Sequence, residues 1–92
     1  MIRSFADSET EKIFDGLYSK KYNAISKIAK RKLDMIHYAS CEKDLTVPPA
    51  NRFEHLKGNL KNYSSIRIND QYRIIFQFKE HYAENVQIVD YH

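Results

Sequence analysis

The chain has 92 residues, 42% of them hydrophobic and 29% charged, a composition that folds as one globular domain and excludes both a disordered chain and a two-domain protein. Fifteen Lys and Arg against twelve Asp and Glu leave a formal charge of +3, an excess whose distribution matters more than its size. The single cysteine, Cys41, excludes an internal disulfide and a thiolate zinc site and suits a reducing cytoplasm. The opening MIRSFADSETEK lacks the apolar stretch of a signal peptide, and no apolar run approaches the roughly 20 residues that cross a bilayer.

In chain order, MIRSF is a short strand candidate. Asp7 is placed to cap a helix running toward Gly16, with acids in its first turn and Ile13 and Phe14 as apolar contacts. A second helix follows. Ile25, Ile28, Ala29, Leu33 and Ile36 recur at intervals of three and four, while Lys27, Lys30, Arg31 and Asp34 fall on the other side. From Lys20 to Lys32 there are six basic residues and no acid, so this outer helix face is strongly cationic. A second basic stretch, Arg52 to Lys79, carries six cations against Glu54 and Asp70. Such clusters favour an anionic partner, nucleic acid or an acidic protein, or form an ordinary solvated face. The paired prolines of TVPPANRF end helical structure, because they remove donors and restrict the residue before them.

The second half reads as strands. YSSIRINDQYRIIFQF holds two of them and a tight turn. A two-residue loop at Asn69-Asp70 would set Ile66 across from Arg73. A three-residue loop, Asn69-Asp70-Gln71, instead pairs Ile68 with Tyr72 and Ile66 with Ile74. It gathers Ile66, Ile68, Tyr72, Ile74, Phe76 and Phe78 on one buried face, as a half-buried sheet requires. The same register sets Arg67 opposite Arg73 on the other face, where like charges repel. The pair either flanks an anion, splays into water, or is relieved by an acid such as Glu54 or Asp90. NVQIVDYH supplies a further strand, with Val86, Ile88, Asp90 and His92 on one face and Gln87, Val89 and Tyr91 on the other; the pattern leaves open which face is buried. The order β-α-α-β-β-β predicts an α+β fold, an N-terminal helical hairpin packed on a small, mainly antiparallel twisted sheet, in one domain over residues 1–92.

Histidines His37 and His81 read as a partly covered surface residue and a hairpin-loop residue. His55, in FEHLKGN beside Lys57, and His92, at the end of the last strand, are different. Each can act as a general acid or base near neutral pH. Two such groups with cations nearby are what metal-free RNA cleavage needs. One removes the 2′-hydroxyl proton, another protonates the leaving 5′-oxygen, and cations stabilise the charged phosphorane.

The pattern H-x-L-K-G, then S-I-R-I-N-x-x-Y-R-I, then D-Y-H, together with MIRSF and AKRKLDMI, resembles the HigB branch of the RelE/ParE toxin superfamily over almost the whole chain. The resemblance implies a toxin of a type II toxin–antitoxin system that cuts mRNA on the ribosome, without metal or other cofactor. It also implies a cognate antitoxin with a helix-turn-helix domain, through which alone operator DNA would be bound. It assigns the active site to His55, Asp90, Tyr91 and His92, with Arg73 and Lys57 as phosphate-stabilising cations. His55 and His92 are then the acid/base candidates. Asp90 orients an imidazole or accepts the 2′-hydroxyl proton, and Tyr91 stacks on a base or hydrogen-bonds the substrate. Arg67, Lys61, Lys27, Lys30 and Arg31 are the candidate RNA- and ribosome-binding cations. No metal is expected, since the histidines lack ligand spacing. The ParE branch shares the fold but poisons DNA gyrase, and a non-catalytic nucleic-acid-binding module is a second alternative; His55 and the D-Y-H motif argue for the nuclease.

Overall fold

The computed structural model describes residues 1–90. Helices Ser8–Phe14 (α1) and Ser26–Tyr38 (α2) precede strands Glu54–His55 (β1), Ser64–Arg67 (β2), Tyr72–Lys79 (β3) and Tyr82–Asp90 (β4). The strands form one antiparallel sheet in the order β1-β2-β3-β4. Both helices lie on one face of it. Ile25, Ala29, Leu33 and Ile36 from the helical layer meet Ile66, Ile74, Phe76, Val86 and Ile88 from the sheet in a single core. This is the α+β arrangement that the element order predicts.

Capping starts α1 where the sequence places it. The Asp7 carboxylate accepts from the Thr10 backbone N–H at 2.7 Å and from the Thr10 hydroxyl at 3.0 Å. That hydroxyl in turn accepts from the Ile88 N–H at 3.0 Å, which ties the first turn of α1 to β4. Gly16, at φ 77°, supplies the left-handed residue that ends the helix.

MIRSF is not a regular strand. It makes two isolated parallel bridges to β4, Ile2 with Ala83 and Phe5 with Val86. Between them the Asn85 N–H is taken by the Ser4 side chain at 2.9 Å, so the ladder cannot continue. The segment still covers the otherwise open β4 edge.

The apolar face of α2 also differs from expectation at one turn. Ile28 is 39% exposed, whereas Lys32 is buried at 6%. At about 100° per residue, Lys32 falls beside Ile25 and Ile36 at the edge of the inward stripe, and Ile28 falls about 40° further out. The segment after the helix makes this tolerable. It forms short 3₁₀ turns at Glu42–Thr46 and Pro49–Asn51 in place of further helix. Leu45 anchors it in the core, and fully buried Asn51 accepts from the Lys32 ammonium at 2.5 Å while donating to the Leu45 carbonyl at 3.1 Å.

The β2–β3 hairpin has the three-residue loop. Ile66 pairs with Ile74 and Arg67 with Arg73. The Asn69 side-chain oxygen accepts from the N–H groups of Gln71 and Tyr72 at 2.9 and 2.8 Å, which fixes the turn. Ile66, Ile68, Ile74 and Phe76 are buried, and Tyr72 and Phe78 are half-buried at the margin. A β-bulge in β4, between the Gln87–Ile75 and Glu84–Gln77 pairs, places Asn85 at φ 54° and shifts the alternation there. Val86 and Ile88 consequently face the helices together with Ala83.

Burial holds the Lys32 pKa below the ordinary 10.5, with smaller contributions from Arg31 and Arg67. Unfolding returns the group to water, so the unfolded chain binds more protons between the lowered value and 10.5. Stability from this group therefore rises as pH climbs through that window. Urea unfolding of the wild type should gain on Lys32→Met as the pH is raised from neutral toward 10.5. A difference between the two proteins that is flat with pH would contradict the burial of an ammonium here.

Candidate active site

Period-two alternation puts Ser65, Arg67, Arg73 and Val89 on the sheet face opposite the helices. There the crowding of Arg67 and Arg73 is relieved by acids. Arg67 turns toward the loop and pairs with Asp70. Arg73 is only 8% exposed. Its Nε donates to the Ser65 hydroxyl at 2.9 Å, and its Nη2 donates to the Arg52 carbonyl at 2.6 Å and lies 3.6 Å from the Glu54 carboxylate. Glu54 is thus an acid within reach of Arg73, as Asp70 is of Arg67. Arg73 also has a structural task, clamping the Arg52–Glu54 approach to β1 against the sheet. Arg52 itself is in the left-handed region at φ 45°, which aims its carbonyl.

His55 stands next to Glu54 but on the other alternation. It pairs with Ser64, and Ser64 pairs with Phe76. Its Nδ1 is 3.2 Å from the Ser64 hydroxyl and 3.8 Å from Glu42, and the Ser64 hydroxyl donates to that same Glu42 oxygen. The Phe53 ring meets the imidazole edge to face at 5.2 Å. The rest of the His55 side chain is open, at 68% exposure. Lys57 and Lys61 are exposed in the loop that joins β1 to β2, flanking the turn Gly58–Leu60. The Leu56 N–H bonds to the Tyr63 carbonyl at 2.9 Å and closes that loop, so both lysines project from the end of the hairpin that carries His55.

Asp90 is exposed at the far end of β4, opposite Tyr72, and accepts from the Gln71 amide at 3.1 Å. In the ladder it is three strands from His55 and lies at the Asn69–Gln71 end of the sheet. Tyr91 and His92, the other site residues that the terminal motif implies, lie outside the described residues. Lys27, Lys30 and Arg31 belong to the helical layer, behind the sheet as seen from Arg73. Lys30 is engaged there, 2.7 Å from Asp34 and 4.9 Å from the centre of the Phe14 ring.

Glu42 and Ser64 were not visible as site residues. Ser64 follows from extending the β2 register to β1, a two-residue strand with too little pattern to read. Glu42 comes from a polar turn that no periodicity links to the sheet. Among the described residues, no group of three or more His, Cys, Asp and Glu could hold a metal ion.

A helical hairpin on one face of a four-stranded antiparallel meander defines the RelE-type toxin fold. The chain superimposes on YafQ from E. coli strain BL21(DE3) with a TM-score of 0.64 at 13% identity, over 98% of this chain and 91% of that one. It also matches the Staphylococcus aureus YoeB–YefM toxin–antitoxin heterotetramer, with a TM-score of 0.62 at 17% identity over 100% and 98% of the two chains. At these identities the likeness is one of fold. In sequence, residues 3–92 match the profile of HigB-like toxins, the RelE-like toxins of type II toxin–antitoxin systems, and the chain belongs to that family. It is 53% identical over 58 residues to Toxin HigB-1 of Vibrio cholerae serotype O1 (strain ATCC 39315 / El Tor Inaba N16961), a match spanning 63% of this chain and 61% of that protein. It is 37% identical over 71 residues to an uncharacterized protein of Haemophilus influenzae, covering 77% of this chain and 70% of that one.

The clamp around Arg73 predicts a stability effect separate from any effect on activity. Arg73→Lys keeps the charge but loses the planar fork that serves Ser65 and the Arg52 carbonyl together. It should lower the free energy of unfolding by about 1–3 kcal/mol, the scale of charge-assisted hydrogen bonds. Unchanged urea unfolding would show that the guanidinium does not hold β1.

Proposed function

We propose that this toxin is a ribosome-dependent, metal-independent mRNA endoribonuclease that stops translation. Family membership supports the toxin class. The observation that carries the chemistry is the state of His55. One ring nitrogen is anchored by Ser64 and Glu42, and the rest of the side chain is open to a substrate. An imidazole fixed on one side and accessible on the other is suited to general acid/base transfer. In this reading His55 and His92 move the two protons of a 2′-hydroxyl attack. Arg73, Arg67 and Lys57 stabilise phosphate charge, Asp90 orients an imidazole or accepts the 2′-hydroxyl proton, and Tyr91 contacts a base. The exposed cations Lys61, Lys27 and Arg31, with Lys30, carry binding to RNA or ribosome through the phosphate backbone.

The remaining partners follow from the toxin class. A cognate HigA-like antitoxin with a helix-turn-helix domain neutralises the protein and carries operator-DNA binding; that a toxin of this fold is bound by an antitoxin has its analogy in the YoeB–YefM complex. The reaction takes place in the cytoplasm, where translating ribosomes are. Among the described residues no helix is long and apolar enough to cross a membrane.

The test is toe-print mapping of mRNA on translating ribosomes, beside the same mRNA free in solution. Cleavage should require the ribosome, weaken as salt rises, and fall by about 10²-fold or more in His55→Ala, the contribution of a positioned acid or base. Equal rates on free and ribosome-bound mRNA would overturn the ribosome dependence.

A further inference from the structure

We propose that Glu42 and Ser64 are positioning residues for His55: they fix the proton of its neutral imidazole on Nδ1 and present the Nε2 lone pair to the substrate. The inference deepens the ribonuclease reading and rests on it for its catalytic consequence. The tautomer itself stands on geometry alone.

Proton accounting carries it. A serine hydroxyl has one proton to donate, and an ionised carboxylate can only accept. The Ser64 proton is committed to Glu42. At the 3.2 Å contact between Ser64 and His55, the serine oxygen must therefore accept, and the N–H must be on Nδ1. The same Glu42 oxygen lies 3.8 Å from Nδ1, where it attracts an N–H and would repel a lone pair. Both partners thus select one tautomer, and it is the opposite of the one that free neutral imidazole prefers. Ser64 is only 3% exposed, which keeps water from redirecting its hydroxyl. The Phe53 edge at 5.2 Å limits rotation of the ring.

The consequence is chemical. As base, His55 takes the proton of the 2′-hydroxyl on Nε2, that oxygen forms its bond to phosphorus, and the bond from phosphorus to the 5′-oxygen breaks as a second group, His92 in the reading above, supplies the proton to the leaving oxygen. The imidazolium so formed faces the Glu42 carboxylate through Nδ1–H. Glu42 arrives from the turn Glu42–Thr46, held to the core by Leu45. Ser64 and His55 arrive from the sheet. The pose of the imidazole therefore depends on both layers being docked.

The molecule contains its own controls. The His37 Nδ1 accepts from the Ile2 backbone N–H at 3.1 Å, so its proton is on Nε2. The His81 Nδ1 faces the Ser40 carbonyl at 3.1 Å, so its proton is on Nδ1. Long-range ¹H–¹⁵N NMR of the labelled toxin, at a pH where its histidines are neutral, should show His55 with the His81 pattern and not the His37 pattern. Ser64→Ala and Glu42→Gln should each move His55 toward the Nε2–H form, while His37 and His81 stay unchanged and report an intact fold. In ribosome-bound mRNA cleavage both variants should lower kcat by about 10- to 100-fold with KM little changed, less than the full loss of a positioned base. A His55 tautomer that is the same in the wild type and both variants would overturn the proposal. So would a shifted tautomer with kcat unchanged in a toxin whose His55→Ala variant is inactive. Full activity of His55→Ala would instead refute the ribonuclease role of His55, with the tautomer still decided by the spectra.

Discussion

Arg67 and Arg73 face each other across a hairpin whose register is fixed by the Asn69 side chain, and the placement of charge on the sheet follows from that opposition. Sliding the ladder by one residue would turn Ile66 and Ile74 toward water, so the core does not permit the pair to separate. Relief has to come from elsewhere. Asp70, within the turn, draws Arg67 outward. Glu54 and the Arg52 carbonyl draw Arg73 toward β1. A short edge strand of two residues thereby gains a charged anchor that its own backbone hydrogen bonds could not provide. The neighbour of Glu54 in that strand is His55, so the arginine opposition and the placement of the imidazole are linked through one backbone segment.

The irregular stretch between α2 and β1 is organised by a similar device. Long segments without regular structure leave backbone polar groups in need of partners. Here Asn51 supplies one, donating to the Leu45 carbonyl while its own side-chain oxygen accepts from Lys32 of the helix. Two buried cations, Lys32 through Asn51 and Arg73 through the Arg52 carbonyl and Glu54, thus hold neighbouring points of the segment that carries Glu42, Glu54 and His55. Each is satisfied by hydrogen bonds, as burial of charge demands. Among the described residues, no buried side-chain nitrogen or oxygen lacks a partner.

Much of this was legible because strong local rules apply. The Asp7 cap and the Gly16 stop mark α1, and the choice between two- and three-residue turns was decided by which residues would share a face. The terminal strand resisted, because the bulge at Asn85 breaks the alternation between Ala83 and Val86, and a bulge has no signature that alternation counting detects. The exchange of Ile28 for Lys32 on the inner face of α2 resisted for a different reason. A lysine is buried only when a partner waits for it, and Asn51 comes from a loop whose path the helix pattern does not contain. The surroundings of His55 were hidden in the same way. The family motif names the imidazole, while its two hydrogen-bonding neighbours come from a turn and a strand that meet only in three dimensions.

The central chemical claim is attack by the 2′-hydroxyl, driven by protein side chains without a metal. It is written most directly in the ends of the cut mRNA. After cleavage on purified translating ribosomes, with the toxin itself freed of metal beforehand, end-group analysis should find a 2′,3′-cyclic phosphate, or the 3′-phosphate formed from it, on the upstream fragment and a 5′-hydroxyl on the downstream fragment. A 5′-phosphate and a 3′-hydroxyl would contradict it, because those ends require attack by water and not by the neighbouring ribose oxygen.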